Sequence, residues 1–258
     1  MPRGSFEFKK IAHRGASGEA PENTLPAFQL AFQKYHCDKV EMDVRLTRDG
    51  VPLVIHDATL ERTTNGIGRV DQHSLRRIQS LDAGFWFDPA GRREFPYRGK
   101  GVRISTLEEV LNQFPDSGFF LELKDRKGPV VERTLEVLSR VPNPTRLVIG
   151  SFDGRVARRL RQFSKNSYET FLTEDEIIRL FGLFRLGFKK VRAPALHASL
   201  PRAKYGIRLD SPGWIEFLHR QGARVYYWTV NEGSEMEELI KRGADGIVTD
   251  YPDRLNSP

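Results

Sequence analysis

The sequence predicts an α/β fold, a (β/α)8 barrel with a small insertion after a His-Asp hairpin. Short apolar runs alternate with amphipathic stretches along the whole chain, as buried parallel strands alternate with covering helices. Eight such strand–helix repeats closing on themselves describe a barrel. A length of 258 residues fits one barrel with a modest insertion and is ample for a sizeable core. We therefore expect a single domain over residues 1–258, with residues 58–101 as an inserted lobe.

The strand candidates are residues 10–13, 40–44, 119–124 and 147–152, then 169–173, 196–200, 225–230 and 246–249; the run at 196–200 has the weakest pattern. Helical spacing falls between them at 24–35, 107–114, 130–141, 154–163, 211–221 and 234–242. Two stretches interrupt the repeat. Within residues 40–57, Asp49-Gly50 separates two alternating apolar runs, a hairpin signal that would bring His56 beside Glu41 and Asp43. Residues 58–101 are too long for a simple connection. They hold a short helix pattern at 74–81, and we read them as a lobe covering the face where the strands end. Phe85-Trp86-Phe87 is expected to form that lobe's own small core.

Composition narrows the function classes. With 39% hydrophobic and 29% charged residues the chain reads as an ordinary globular protein. Residues 1–10 lack the apolar stretch of a secretory signal, and no run approaches the roughly 18 apolar residues of a spanning helix, so a cytoplasmic protein is expected. The lone Cys37 cannot form an intrachain disulfide and reads as a small side chain at a helix end. The net charge of +7 favours anionic partners. Because the basic residues are dispersed, without interleaved stacking aromatics, nucleic acid is not expected among them.

The chemistry concentrates at strand ends. Ile11-Ala12-His13-Arg14-Gly15 delivers an imidazole and a guanidinium to the barrel mouth, with Gly15 allowing a sharp turn. Ala20-Pro21-Glu22-Asn23-Thr24 then reads as a capped helix start, with Asn23 or Thr24 as N-cap. Glu41 and Asp43 are two apart on a strand and share one face. Two buried carboxylates call for a cation, and all-oxygen ligation suits a hard divalent ion such as Mg²⁺ or Ca²⁺. Glu122 and Lys124 repeat the spacing, adding a third carboxylate and a positive charge, while His56 adds a second imidazole. Phosphodiester cleavage needs a base, an acid and positive charge for the phosphoryl oxygens, and this set holds all three.

These pieces closely resemble the glycerophosphodiester phosphodiesterase family. The matching segments are His13-Arg14-Gly15, Ala20-Pro21-Glu22-Asn23-Thr24, Glu41-Met42-Asp43-Val44, His56-Asp57, Glu122-Leu123-Lys124, Ser151-Phe152, Trp228-Thr229-Val230-Asn231 and Gly246-Ile247-Val248-Thr249-Asp250. They span nearly the whole chain in the family's order. The resemblance implies a (β/α)8 TIM barrel with an insertion after the His-Asp motif. It makes His13 and His56 the acid/base pair, and Glu41, Asp43 and Glu122 the ligands of a divalent cation, Mg²⁺ or Ca²⁺. Arg14 and Lys124 become phosphate contacts, and Trp228 lines the mouth. Which histidine is acid, and whether water or a substrate hydroxyl attacks, both stay open.

The expected substrate is a small glycerophosphodiester, cleaved to sn-glycerol 3-phosphate and an alcohol. Two alternatives compete: a lysophospholipase D-type enzyme acting on lysophospholipids, and a catalytically silent phospholipid-binding barrel. Residues 177–191 mix bulky apolar and basic side chains. They read as a barrel helix with snorkelling arginines or, alternatively, as a peripheral contact with an anionic membrane. His36, His73, His197 and His219 are set aside as surface or structural, without carboxylate partners at ligand spacing. Asp250, at the end of the last strand pattern, is within reach of the mouth but is assigned a turn or capping role.

Overall fold

The computed structural model describes residues 7–141, 143 and 146–255. Its strands in chain order are β1 (Lys9–His13), β2 (Lys39–Leu46), β3 (Pro52–Val54), β4 (Gly118–Leu123), β5 (Leu147–Gly150), β6 (Glu169–Thr170), β7 (His197–Leu200), β8 (Ala203–Lys204), β9 (Ile207–Arg208), β10 (Arg224–Tyr227) and β11 (Gly246–Thr249). The helices are α1 (Leu25–Gln29), α2 (Leu75–Gln79), α3 (Leu107–Gln113), α4 (Val130–Leu138), α5 (Gly154–Phe163), α6 (Glu174–Arg185), α7 (Pro212–Arg220) and α8 (Gly233–Lys241).

A path of parallel strands runs β6-β5-β4-β2-β1-β11-β10-β7. The seam between β6 and β7 is bridged by the parallel pair Phe171↔His197 and by Leu172 N–H donating to the His197 carbonyl at 2.7 Å. The barrel is therefore nearly closed, and a strand stands at each expected position, 196–200 included. β6 is shorter than expected because Thr173 already caps α6, its hydroxyl and Glu176 forming a reciprocal capping box. The expected helix over 24–35 divides into α1 and a wider-wound π turn, Leu30–Lys34.

The core has three layers. Val40, Met42 and Val44 of β2, with Phe119 and Leu121 of β4, face outward against α3 and α4. Trp214, Phe217 and Leu218 of α7 and Leu180 of α6 cover the second half. Inside the barrel, Ile11, Phe120, Val148, Phe171, Tyr226 and Val248 form a dry floor. This floor lies within the strands, so the polar chemistry is confined to their C-terminal ends.

The predicted hairpin is present. β3 pairs antiparallel to β2 in the register Val44↔Val54, and Ile55 N–H donates to the Asp43 carbonyl at 3.0 Å, placing His56 just beyond Asp43. Residues 58–101 follow it. Leu60, Val70, Ile78 and Leu81 pack on Leu53 and Ile55 as an aliphatic cluster. The Phe85-Trp86-Phe87 expectation is corrected here. Trp86 is half exposed, and the Arg98 guanidinium lies 4.2 Å from the Phe85 ring and 3.7 Å from Phe95. The aromatics stack on a cation near the surface, and the aliphatics make the buried core.

In residues 177–191, α6 turns Ile177 and Leu180 inward, and Phe181 and Phe184 pack on Trp214. Ile178, Leu186 and Phe188 remain exposed. No helix among the described residues is long and apolar enough to cross a membrane.

Candidate active site

β1, β2 and β4 are neighbours, and their registers pair His13 with Glu41 and Asp43 with Glu122. Side chains from three adjacent strand ends therefore converge on one spot. The chain leaves β1 through Arg14 at φ 54° and Gly15 at φ 85°. A Cβ on Gly15 would lie 2.7 Å from the Ala27 backbone, so only glycine lets this turn pack on α1.

A cavity of about 230 Å³ opens here. All eight residues singled out from the sequence line it: His13, Arg14, Glu41, Asp43, His56, Glu122, Lys124 and Trp228. No residue of 58–101 is among those lining it, though Arg62 of that segment reaches Glu22 and Asp57 beside it.

Glu41, Asp43 and Glu122 each offer an oxygen within 4.8 Å of the others. Asp43 is buried between two cations, with Arg14 Nε and Lys124 Nζ each at 3.2 Å. Its carboxyl stays below the usual range because these charges outweigh its burial. Lys124 Nζ also donates to Glu122 at 2.8 Å. Glu41 accepts from the Arg14 backbone N–H at 3.3 Å and has the His13 imidazole at 3.9 Å, and burial together with the Asp43 charge pushes its carboxyl up. Burial likewise raises Glu122. Three carboxylates face two fixed cations, and Glu41, pushed up by burial and by Asp43, is the one that a hard divalent cation ligated by these oxygens would return to its charged form.

The two imidazoles are held alike. His13 Nδ1–H donates to Asp250 at 2.7 Å, and His56 Nδ1–H donates to Asp57 at 2.6 Å, leaving Nε2 of each ring as its free nitrogen. Burial disfavours a charge on His13, but Asp250 and Glu41 outweigh it and raise its pKa. For His56 burial prevails and its pKa falls. Both carboxylate partners sit at about 2, Asp250 held there against burial by His13 and Asp57 against burial by Arg62 and His56.

Further residues that sequence reasoning left out of the site complete it. Asp250 sits at the bend after β11 as expected, and its side chain does more: besides His13 it accepts from Ser17 Oγ and Asn231 Nδ2, each at 2.7 Å. The signal was available, since a closed barrel sets the last strand, β11, beside β1. Asn23 is not an N-cap; its amide donates to Asp43 at 2.9 Å. Thr24 occupies the N-cap position, but its hydroxyl donates to the Pro21 carbonyl. Glu22 accepts from Arg14 at 2.9 Å and from Arg62, which also reaches Asp57. A chain of ion pairs thus joins the Asp43 end of the site to His56. His197 and His219 lie outside the cavity in structural pairs with Glu169 and Asp245, each at 2.8 Å.

The glycerophosphoryl diester phosphodiesterase family model matches residues 13–254. The Bacillus subtilis protein YhdW is 36% identical over 94% of each chain. A Caldanaerobacter subterraneus glycerophosphodiester phosphodiesterase is 32% identical over 95% of each. The crystal structure of an Oleispira antarctica phosphodiesterase in complex with the product sn-glycerol-3-phosphate is 28% identical, with a TM-score of 0.76, covering 97% of this chain and 96% of its own. The family match begins at His13 and takes in every strand end that lines the cavity, and the chain belongs to the glycerophosphoryl diester phosphodiesterase family, as an enzyme that cleaves phosphoric diesters.

Proposed function

We propose that the chain hydrolyses small glycerophosphodiesters to sn-glycerol 3-phosphate and an alcohol, with Mg²⁺ or Ca²⁺ held by Glu41, Asp43 and Glu122. The observation that carries this reading is the pair of imidazoles beside one carboxylate trio, each fixed through Nδ1 by its own carboxylate. A divalent cation bound there supplies positive charge to a non-bridging phosphate oxygen.

The protein's own residues do the rest. Arg14 and Lys124 line the same cavity and are the phosphate contacts. One imidazole takes the proton of the attacking hydroxyl at Nε2, and the other returns a proton to the departing alkoxide. Trp228 presents a buried indole N–H with no hydrogen-bond partner among the described residues, a donor suited to a substrate oxygen. The whole chain acts as one catalytic unit, with residues 58–101 as its lobe; Arg62 of that lobe props Asp57 behind His56.

The test is to incubate the purified protein with glycerophosphocholine and either metal, then with chelator, and to follow glycerol 3-phosphate. Release that requires metal is the expected result. Intact substrate with both metals would defeat the reading.

A further inference from the structure

A cleft of about 860 Å³ adjoins the carboxylate trio's cavity on the side of the β2–β3 turn. Three stretches of chain wall it: the turn itself, the segment around Arg69 and Asp71, and the chain from Lys124 to Pro129 that leaves β4. Lys124 lines both cavities. Arg45 links them as well, since it lines the cleft while its Nε donates to the His56 carbonyl at 2.7 Å. Seven cationic residues line this cleft against three carboxylates.

The carboxylates are already engaged. Asp125 accepts from Arg45 Nη1 at 2.6 Å and from the Leu46 N–H at 2.8 Å. Asp71 takes a two-point pair from Arg69, at 2.9 and 2.7 Å, and Asp49 accepts from the Leu75 N–H at 3.0 Å. What is left over is positive. Arg48 on the turn and Lys127 on the chain after β4 are exposed and have no side-chain hydrogen bond or ion pair among the described residues. Arg126 reaches Asp153 only at 3.7 Å. Like charges gathered in one concavity repel one another, and an oxyanion between them removes that repulsion. Because Arg48 and Lys127 approach from separate walls, the ligand must present oxygens in more than one direction. A tetrahedral phosphate does so, and a planar carboxylate does not.

We propose that this cleft binds a phosphate monoester, at a site separate from the one where the diester is cleaved. It is a binding site and adds no bond-making step. The monoester arrives either free or as a second phosphate on the leaving alcohol of a diester, whose path between the two cavities passes Lys124. Only the second route rests on the phosphodiesterase reading.

The experiment titrates the full-length protein, with Mg²⁺ present and at low ionic strength, with inorganic phosphate, followed by calorimetry. Arg48→Glu/Lys127→Glu reverses two exposed charges outside the catalytic set. Lys189→Glu/Lys190→Glu makes the same change of net charge at exposed positions that do not line the cleft. The first variant is expected to bind one phosphate fewer than the wild type, or to bind it about tenfold or more weakly, and the second to match the wild type. No phosphate bound by the wild type, equal binding in all three proteins, or the same loss in both variants would overturn the site. Kinetics then read the source, by comparing kcat/KM on glycerophosphoglycerol with that on the same diester carrying a phosphate on its leaving glycerol. An advantage of about tenfold for the phosphorylated diester assigns the monoester to the substrate, provided Arg48→Glu/Lys127→Glu abolishes it and keeps its glycerophosphocholine kinetics. Equal values assign it to free phosphate. Should neither diester be cleaved, the phosphodiesterase reading fails by itself, and the titration still decides the cleft.

Discussion

Each of the two imidazoles proposed as the acid/base pair has its hydrogen-bonding direction fixed before substrate arrives. With Nδ1–H given to Asp250 in His13 and to Asp57 in His56, the ring orientation and tautomer are set, and proton exchange is left to Nε2. Under the proposed mechanism, replacing either histidine by alanine removes a proton-transfer group. We expect kcat to fall by about 10²-fold or more, with little change in KM. Steady-state kinetics on glycerophosphocholine check this, and near-normal turnover in both variants would remove the assignment. Asp250→Asn is subtler, since it keeps the shape but can no longer stabilise the imidazolium. We expect kcat to drop about 10–100-fold with the melting temperature nearly unchanged. A melting temperature that falls along with kcat would mean Asp250 holds up the fold and does not tune His13. The eight site residues were legible because each lies in a short motif at a strand end. Asp250 was within reach of the same reasoning, since barrel closure sets β11 beside β1; Arg62 and Asn23 were not, because their partners depend on the path of the lobe and of the turn after β1, which the sequence does not dictate.

Among the elements, the weakest joint is the seam between β6 and β7, where one bridge replaces a ladder. A side-chain bond reinforces it. His197 of β7 lies fully buried, donates through Nε2 to Glu169 of β6 at 2.8 Å, and accepts at Nδ1 from the Tyr226 hydroxyl at 3.2 Å. Both ring nitrogens are satisfied in the neutral form, and protonation would place a charge in a fully buried site. Burial lowers the His197 pKa against the pull of Glu169, with Arg224 and Lys39 adding to the lowering. The unfolded chain, by contrast, takes up this proton near about pH 6.5. Between those pKa values the unfolded state binds more protons, so stability is full above about pH 6.5 and is lost as the pH falls below it. Melting curves from about pH 7 down to about pH 5 should show a steep decline for the wild type and a flatter one for His197→Gln, whatever its starting stability. Parallel slopes would place the acid sensitivity elsewhere. The sequence marked 196–200 as the least regular strand, and the structure gives the reason: a polar, buried histidine begins it in place of an aliphatic residue.

Across the whole molecule, an apolar floor of barrel-interior side chains carries a charged site on the strand ends above it. That division was legible from alternation along the strands, because inward-facing apolar and carboxylate positions occupy the same face of one strand at different heights. The cation-lined cleft was not, since only the folded chain brings its walls together from separate stretches. The same division makes the carboxylate trio a source of instability in the metal-free protein, where Glu41 has like charge nearby and no fixed cation of its own. A cation that binds only the folded form should therefore stabilise the entire barrel. At a hundredfold excess over Kd the gain is about 2.7 kcal/mol, which for a domain of this size is roughly 5–10 °C in melting temperature. Glu41→Gln removes that disfavoured charge and one ligand together. We expect this variant to melt above the wild type in chelator and to gain little from Mg²⁺ or Ca²⁺, so that the two proteins change order when metal is added. Scanning calorimetry of both, with chelator and with each metal, reads this without any turnover. If metal raises both melting temperatures equally, the cation does not sit on Glu41, and the trio's burial must be balanced by Arg14 and Lys124 alone.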